Sequence, residues 1–376
     1  MLAAAGLGAC GDSSDDSSKD DPTPTANTAP APAPATAAPN VPEGPVAGKA
    51  PVPVVAGELT RDLRSPWGVA VLPDGDGLVS SRDNGEILRF GRSTPKALVI
   101  GKVPDVVHRS ESGLLGIALS PDFASDHFLY AYYTTSSDNR IVRMTYVPGQ
   151  PLGAPEVVLS GIPSGATHNG GRIAFGPDGM LYAGTGEAGD KELAQDRDSL
   201  GGKILRMTPD GKPAPGNPFP DSVVWSTGHR NVQGLAWDSK GRLWAGEFGQ
   251  NTWDELNLIR SGANYGWPEV EGSGDDPKYV NPIAQWGTDD ASPSGIAILN
   301  DVVYLAGLKG ERLWQAPIQG STVGEPKAYF QGKYGRLRTV VVAGPGELWL
   351  VTNATDGRGS PRKGDDRVLR VMMNGQ

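Results

Sequence analysis

The chain repeats one pattern: a short apolar strand, a tight turn rich in Asp, Gly or Pro, and a second apolar strand, followed in several copies by a return strand. The first copies are Trp67-Gly-Val-Ala-Val-Leu-Pro-Asp-Gly with Gly77-Leu-Val-Ser-Ser, Leu115-Gly-Ile-Ala-Leu-Ser-Pro-Asp-Phe with Phe128-Leu-Tyr-Ala-Tyr-Tyr, and Arg172-Ile-Ala-Phe-Gly-Pro-Asp-Gly with Met180-Leu-Tyr-Ala-Gly. The others are Gln233-Gly-Leu-Ala-Trp-Asp-Ser-Lys-Gly with Arg242-Leu-Trp-Ala-Gly, Ser294-Gly-Ile-Ala-Ile-Leu-Asn-Asp with Val302-Val-Tyr-Leu-Ala, and Arg338-Thr-Val-Val-Val-Ala-Gly-Pro-Gly with Glu347-Leu-Trp-Leu-Val. Glu86-Ile-Leu-Arg-Phe, Lys203-Ile-Leu-Arg-Met and Arg367-Val-Leu-Arg-Val read as return strands. Apolar alternation on both sides of such turns is a hairpin signal, because successive strand side chains point to opposite faces. The copies lie roughly 45–60 residues apart, the range of a four-stranded blade with loop insertions. Six copies predict an all-β fold, a six-bladed β-propeller. A sandwich also makes hairpins, but it does not set the same turn between the same strands at regular intervals.

Ahead of the repeats the pattern disappears. Residues 11–55 are Asp/Ser-rich and then Pro/Ala/Thr-rich with almost no large apolar side chain, so they cannot bury enough surface to offset their ordering entropy. They read as an extended, partly polyproline linker before a propeller domain over 56–376. Residues 1–10 end at Cys10 in Leu7-Gly-Ala-Cys10, followed by an acidic, serine-rich stretch. This is similar to part of a bacterial lipoprotein signal, without its basic leading region. Two readings stand: Cys10 carries a lipid that tethers an extracytoplasmic protein to the outer face of the membrane, or it is a chance cysteine in a tail and the protein is secreted. No apolar run in the repeats approaches the ~18–20 residues of a membrane span.

Composition narrows the function classes. Gly 52 and Pro 33 among 376 residues fit a turn-rich fold, and collagen or a coiled coil is excluded by the absence of their repeats. A net charge of -9 argues against nucleic acid, since a polyanion binder needs a basic face to displace counterions. The single cysteine rules out an internal disulfide and a CxxC site.

In a propeller, loops from every blade converge on one face around the axis, so the candidates are polar residues between repeats. His168 lies in Gly165-Ala-Thr-His-Asn-Gly-Gly-Arg172, where small residues permit close approach of a ligand. It suits a general base, with Glu187 of Gly184-Thr-Gly-Glu as the carboxylate that orients it; the alternative is a loop histidine in a structural turn. Arg230 and Asn231 hold the same position before the fourth repeat, and Lys309, Arg336 and Arg338 stand at later blade junctions. Together these cations would make a pocket for carboxylates in an acidic protein. The segment Glu247-Phe-Gly-Gln-Asn-Thr-Trp-Asp-Glu-Leu-Asn257, with Asn264-Tyr-Gly-Trp-Pro268, is rich in the oxygen donors calcium prefers, although it has no EF-hand spacing.

Gly113-Leu-Leu-Gly-Ile-Ala, His168 with Gly170-Gly-Arg, Gly228-His-Arg-Asn-Val-Gln-Gly, Asp254-Glu-Leu-Asn and Asn264-Tyr-Gly-Trp-Pro, in that order, resemble the soluble quinoprotein glucose/sorbosone (aldose sugar) dehydrogenases. The resemblance covers nearly all of the repeat region. It implies an oxidoreductase using pyrroloquinoline quinone (PQQ) and calcium to oxidise a sugar at its C1 hydroxyl to the lactone, with electrons leaving to an acceptor that the sequence does not name. It further implies His168 as the base, Glu187 as its orienting carboxylate and Arg230 as the charge that polarises a quinone carbonyl. Glu111, Asn231, Lys309, Arg336 and Arg338 would hold the cofactor. Carbonyls of Gly249 and Gln250 would ligate an active-site calcium, while Glu255 and Tyr265 would serve a second, structural one. Three positions depart from the family pattern: Glu111 stands where many members have Gln, Gln250 replaces a common Pro, and Thr167 precedes the base where a well-studied branch has an acid. The competing readings are a binding propeller without catalysis and a calcium-dependent, lactonase-like hydrolase.

Overall fold

The computed structural model describes residues 50–92, 94 and 96–374. Six antiparallel sheets follow one another along the chain as blades. Blade one is Pro66–Val71, Gly77–Ser81, Glu86–Phe90 and Leu98–Lys102. Blade two is Leu114–Leu119, Phe128–Thr134, Asn139–Thr145 and Glu156–Ile162. Blade three is Ile173–Phe175, Leu181–Gly184, Ile204–Met207 and Val224–Ser226. Blade four is Val232–Trp237, Leu243–Glu247, Trp253–Leu258 and Ala284–Gly287. Blade five is Pro293–Leu299, Val302–Gly307 and Arg312–Gln319, whose last strand pairs with both Thr322–Val323 and Lys327–Tyr329.

Blade six joins the two ends of the described chain. Its strands Leu337–Gly344, Glu347–Thr352 and Val368–Asn374 are completed by Val52–Thr60, with Val52 opposite Asn374 and Thr60 opposite Val368. The ordered strand thus starts inside the segment that composition marks as linker. Its backbone pairs an edge of Val368–Asn374 that would otherwise stay open, with Val52 and Val54 exposed and Leu59 buried beside Trp349 and Val368.

The first strand of each blade lines the axis and packs against its neighbours' first strands. These strands are buried almost throughout, whereas outer strands such as Leu98–Lys102 are largely exposed. The hydrophobic clusters lie between blades: Leu78 and Ile87 of blade one pack with Leu129 and Val142 of blade two. The recurring glycine near the start of the repeat has a steric cause here. A Cβ at Gly68 would lie 2.8 Å from the Ile117 nitrogen, and one at Gly116 only 2.2 Å from the Gly171 carbonyl oxygen. Backbone meets backbone at the axis, so these positions exclude side chains. In the third repeat Arg172 takes that place; it donates to the Gln233 carbonyl (2.7 Å) and Thr339 Oγ1 (3.0 Å) and lies 4.3 Å from the Trp67 ring centre.

Candidate active site

Two kinds of loop reach one end of the axis: those that join consecutive blades and those between the second and third strands of a blade. They surround a cavity of about 610 Å³ that contains Glu111, His168, Arg230, Asn231, Gly249, Gln250, Lys309, Arg336 and Arg338. Nine residues singled out from the sequence therefore share one cavity.

His168 sits at its wall with φ of 54°, an uncommon conformation for a residue with a side chain. Two contacts hold it: its N–H donates to Glu111 Oε2 (2.9 Å), and its carbonyl accepts from the Ala188 N–H (3.0 Å). Glu187, buried behind the cavity wall, meets His168 Nδ1 at 2.7 Å. On the other side of the ring, Arg230 Nη2 approaches Nε2 at 3.0 Å. A guanidinium can only donate, so Nε2 is the acceptor and the ring proton resides on Nδ1, pointing at the carboxylate. The network therefore assigns the Nδ1–H tautomer, whose Nε2 lone pair accepts from Arg230.

Arg230 also donates to the Gly249 carbonyl (2.6 Å), and its N–H is held by Glu247. Burial pulls its pKa down, while Glu187 and Glu247 oppose that shift. Asn231 Oδ1 accepts from the Gly170 N–H at 3.0 Å and so braces the loop of His168. Lys309 pairs with Asp289 at an exposed rim. Arg336 and Arg338 share Asp356 Oδ2 at 2.9 and 3.3 Å. Burial is the main cause that lowers Arg338 to about 9, with Asp356 working against it. Glu111 bridges the His168 N–H and Arg358, the latter at 2.6 Å.

Several residues of the cavity escaped the sequence reading: Trp67, Arg82, Gln233, Asp254, Asp356 and Arg358. Arg82 and Asp356 follow the second strand of their blades, as Glu187 and Lys309 do, and that shared position was the signal that could have found them.

The cavity suits an anionic ligand. Six cationic side chains and three carboxylates line it, an excess of three positive charges, and Nε of Arg230 and of Arg336 is buried without a partner. Unpaired buried donors of this kind are costly unless a ligand meets them. Among the described residues no cluster of three or more His, Cys, Asp or Glu could hold a metal, so an ion in the cavity would rely on carbonyls such as those of Gly249 and Gln250.

Glu255 and Tyr265 lie outside the cavity. Asn257 Nδ2 donates to Glu255 Oε2 at 2.9 Å and lies 3.4 Å from Glu247 Oε2, while Asn257 Oδ1 is buried without a partner. Burial, reinforced by the Glu247 charge, raises Glu255 to about 8. The other carboxylate oxygens are engaged as well, Glu255 Oε1 by the Gly272 N–H at 2.8 Å, Glu247 Oε2 by His229 Nδ1 at 2.8 Å and Glu247 Oε1 by the Arg230 N–H. The Tyr265 ring stacks on His229 at 4.7 Å, and its hydroxyl donates to the Leu258 carbonyl and accepts from the Arg260 N–H, both at 2.8 Å. Cys10 lies outside the described residues.

The family model described as Glucose / Sorbosone dehydrogenase matches residues 63–363. The chain belongs to this family. As a glucose/sorbosone dehydrogenase-family oxidoreductase it is similar to the PQQ-bound aldose sugar dehydrogenase of Streptomyces coelicolor, at 60% identity and a TM-score of 0.85 over 86% of this chain and 99% of that one. Quinoprotein glucose dehydrogenase B of Acinetobacter calcoaceticus is 32% identical over 60% of this chain and 54% of its own length. The aldose sugar dehydrogenase YliI of Escherichia coli K12 is 28% identical over 82% of this chain and 92% of its own. All the cavity residues named above from Trp67 to Arg358 fall within the span of the family match.

Proposed function

We propose that the chain is a PQQ- and calcium-dependent dehydrogenase that oxidises an aldose or related sugar at its C1 hydroxyl to the lactone. The observation that carries this reading is the His168 ring, with Nδ1 on Glu187 and Nε2 bare of hydrogen at the edge of a cationic cavity. When bound, PQQ would supply the acceptor for the hydride that leaves C1. Once Arg230 turns from Nε2 to the ligand, His168 Nε2 takes the hydroxyl proton, and Glu187 stabilises the imidazolium that results. Arg230 places a fixed positive charge beside the base and, with Asn231, Arg336, Arg338 and Lys309, would hold the cofactor's carboxylates and carbonyls. Gly249 and Gln250 would offer carbonyls to the calcium, and Glu255 with Tyr265 would serve the second ion. A lactonase-like hydrolase is disfavoured because Arg172 and Arg338 occupy the axis, where acidic calcium ligands would be needed. We place the enzyme outside the cytoplasm, tethered through Cys10 and passing electrons to a membrane-bound or diffusible acceptor. The acidic, proline-rich stretch after Cys10 supports that placement, and labelling of Cys10 by a fatty acid in a bacterial host tests it.

The deciding experiment is reconstitution of the purified protein with PQQ and calcium, followed by dye-linked oxidation of an aldose panel. Bound quinone reduced by a sugar is the expected result. A protein that takes up no PQQ would instead be a binding propeller.

A further inference from the structure

The loop that follows the second strand of blade four carries the Gly249 and Gln250 carbonyls, and a carboxylate from a distant segment organises it. Glu271 Oε1 accepts four consecutive backbone amides: Gln250 at 2.6 Å, Asn251 and Thr252 at 3.0 Å, and Trp253 at 3.2 Å. The preceding amide, that of Gly249, donates to Asp254 Oδ1 at 3.0 Å. Asp254 is itself anchored by the Ser292 N–H at 2.6 Å. Five successive N–H groups thus converge on carboxylates. Meanwhile the Gly249 carbonyl meets Arg230, the residue that touches the base. Gly249 has to be glycine here, since a Cβ would lie 1.8 Å from the Trp253 carbonyl oxygen and 2.8 Å from Glu271 Oε1. Burial opposes the Glu271 charge, yet the four donors outweigh it and hold its carboxyl below the usual glutamate range. Such a ring of amides around an anion is a strong, charge-assisted arrangement.

We propose that Glu271 is a positioning residue: it acts as an internal anion that fixes the 249–253 loop, so that the Gly249 and Gln250 carbonyls are preset for calcium and cofactor and Arg230 is held against His168. The loop's carbonyl geometry is then set by a side chain that touches neither substrate nor cofactor. This rests on the PQQ and calcium reading for its functional half, while the ordering of the loop does not.

The test uses the full chain and the variants Glu271→Ala and Glu271→Asp, the latter keeping the charge on a side chain one methylene shorter. In cofactor-free protein, hydrogen exchange of the 250–253 amides should quicken at least tenfold in both variants, with the central strands protected as in the parent. In a PQQ titration followed by tryptophan quenching, the calcium concentration needed for half-maximal binding should rise about tenfold or more. Gln250→Pro, which removes one donor and fixes one φ, should restore part of that loss when added to Glu271→Ala. Unchanged exchange in both variants would overturn the proposal, and so would faster exchange with unaltered calcium dependence. If Glu271→Ala does not fold, Glu271→Asp decides on the same two readouts. A parent protein that binds no PQQ at any calcium level defeats the functional reading and this inference's functional half together, while the exchange data still decide whether Glu271 orders the loop.

Discussion

Whether His168 can serve as the proposed base depends on which nitrogen carries its proton, and Glu187 and Arg230 set that from opposite sides of the ring. The carboxylate can only accept, so it pins hydrogen on Nδ1 and leaves the Nε2 lone pair to accept from Arg230. Glu187→Gln keeps the volume and can still accept from Nδ1–H, while Arg230 keeps Nε2 the acceptor; what it removes is the negative charge that would stabilise the imidazolium. Activity of the reconstituted enzyme should therefore fall by a factor on the order of 10²–10⁴, with PQQ affinity within about threefold of the parent. His168→Ala should show the same split between binding and turnover. Sugar reduction of bound quinone in a stopped-flow instrument checks both, and an undiminished rate in either variant would show that another group takes the proton. The sequence already pointed to this pair, because both residues sit in glycine-rich loops next to a repeat. It did not reveal that Glu111 has both oxygens engaged, one on the His168 N–H and one on Arg358. That contact joins two loops far apart in the chain, and no local pattern encodes it.

At the scale of elements, legibility followed locality. Hairpins were readable because each is written in a run of apolar alternation with its turn. Even the repeat glycine could be seen, although its cause, backbone contact between neighbouring first strands, needed the assembled ring. Blade six was only three-quarters readable. Its fourth strand, Val52–Thr60, pairs with Val368–Asn374 from the other end of the chain, and its proline-flanked valines look locally like linker. Arg82 and Asp356 were missed for a related reason: a charged residue after a strand is usually a solvated turn, and only convergence on the axis gives it a role. The joint strand makes a prediction about stability. Leu59 is buried with Phe90, Trp349 and Val368, so it helps to fasten blade six to blade one. Leu59→Ala should cost about 2–4 kcal/mol, as large-to-small core changes do. Urea unfolding of the cofactor-free protein measures this. A cost below about 0.5 kcal/mol would mean that the ring is closed without this strand.

The whole molecule opposes its own cavity electrostatically. The chain carries a net charge of -9, and residues 1–49 hold six acids and two bases, which leaves -5 for the remainder. The cavity has an excess of three positive charges. A tricarboxylate at the surface of a body of ~25 Å radius would feel about 2.5 kcal/mol of repulsion from that remainder in salt-free water. Salt is excluded from the body itself, so at physiological salt, with a Debye length of ~8 Å, the repulsion at its surface falls about fourfold, to about 0.6 kcal/mol. Inside the cavity, charges stand within a few ångströms of the ligand and partly out of water, so salt screens them far less. Salt should therefore act in opposite directions on the two rates of PQQ binding. Raising it from about 10 to 150 mM should speed association severalfold by screening the long-range repulsion, and should hasten dissociation only modestly. Stopped-flow tryptophan quenching at fixed calcium resolves both rates. If association instead slows steeply with salt, the field of the cavity reaches well beyond its rim, and the acidic surface plays no part in admitting the cofactor.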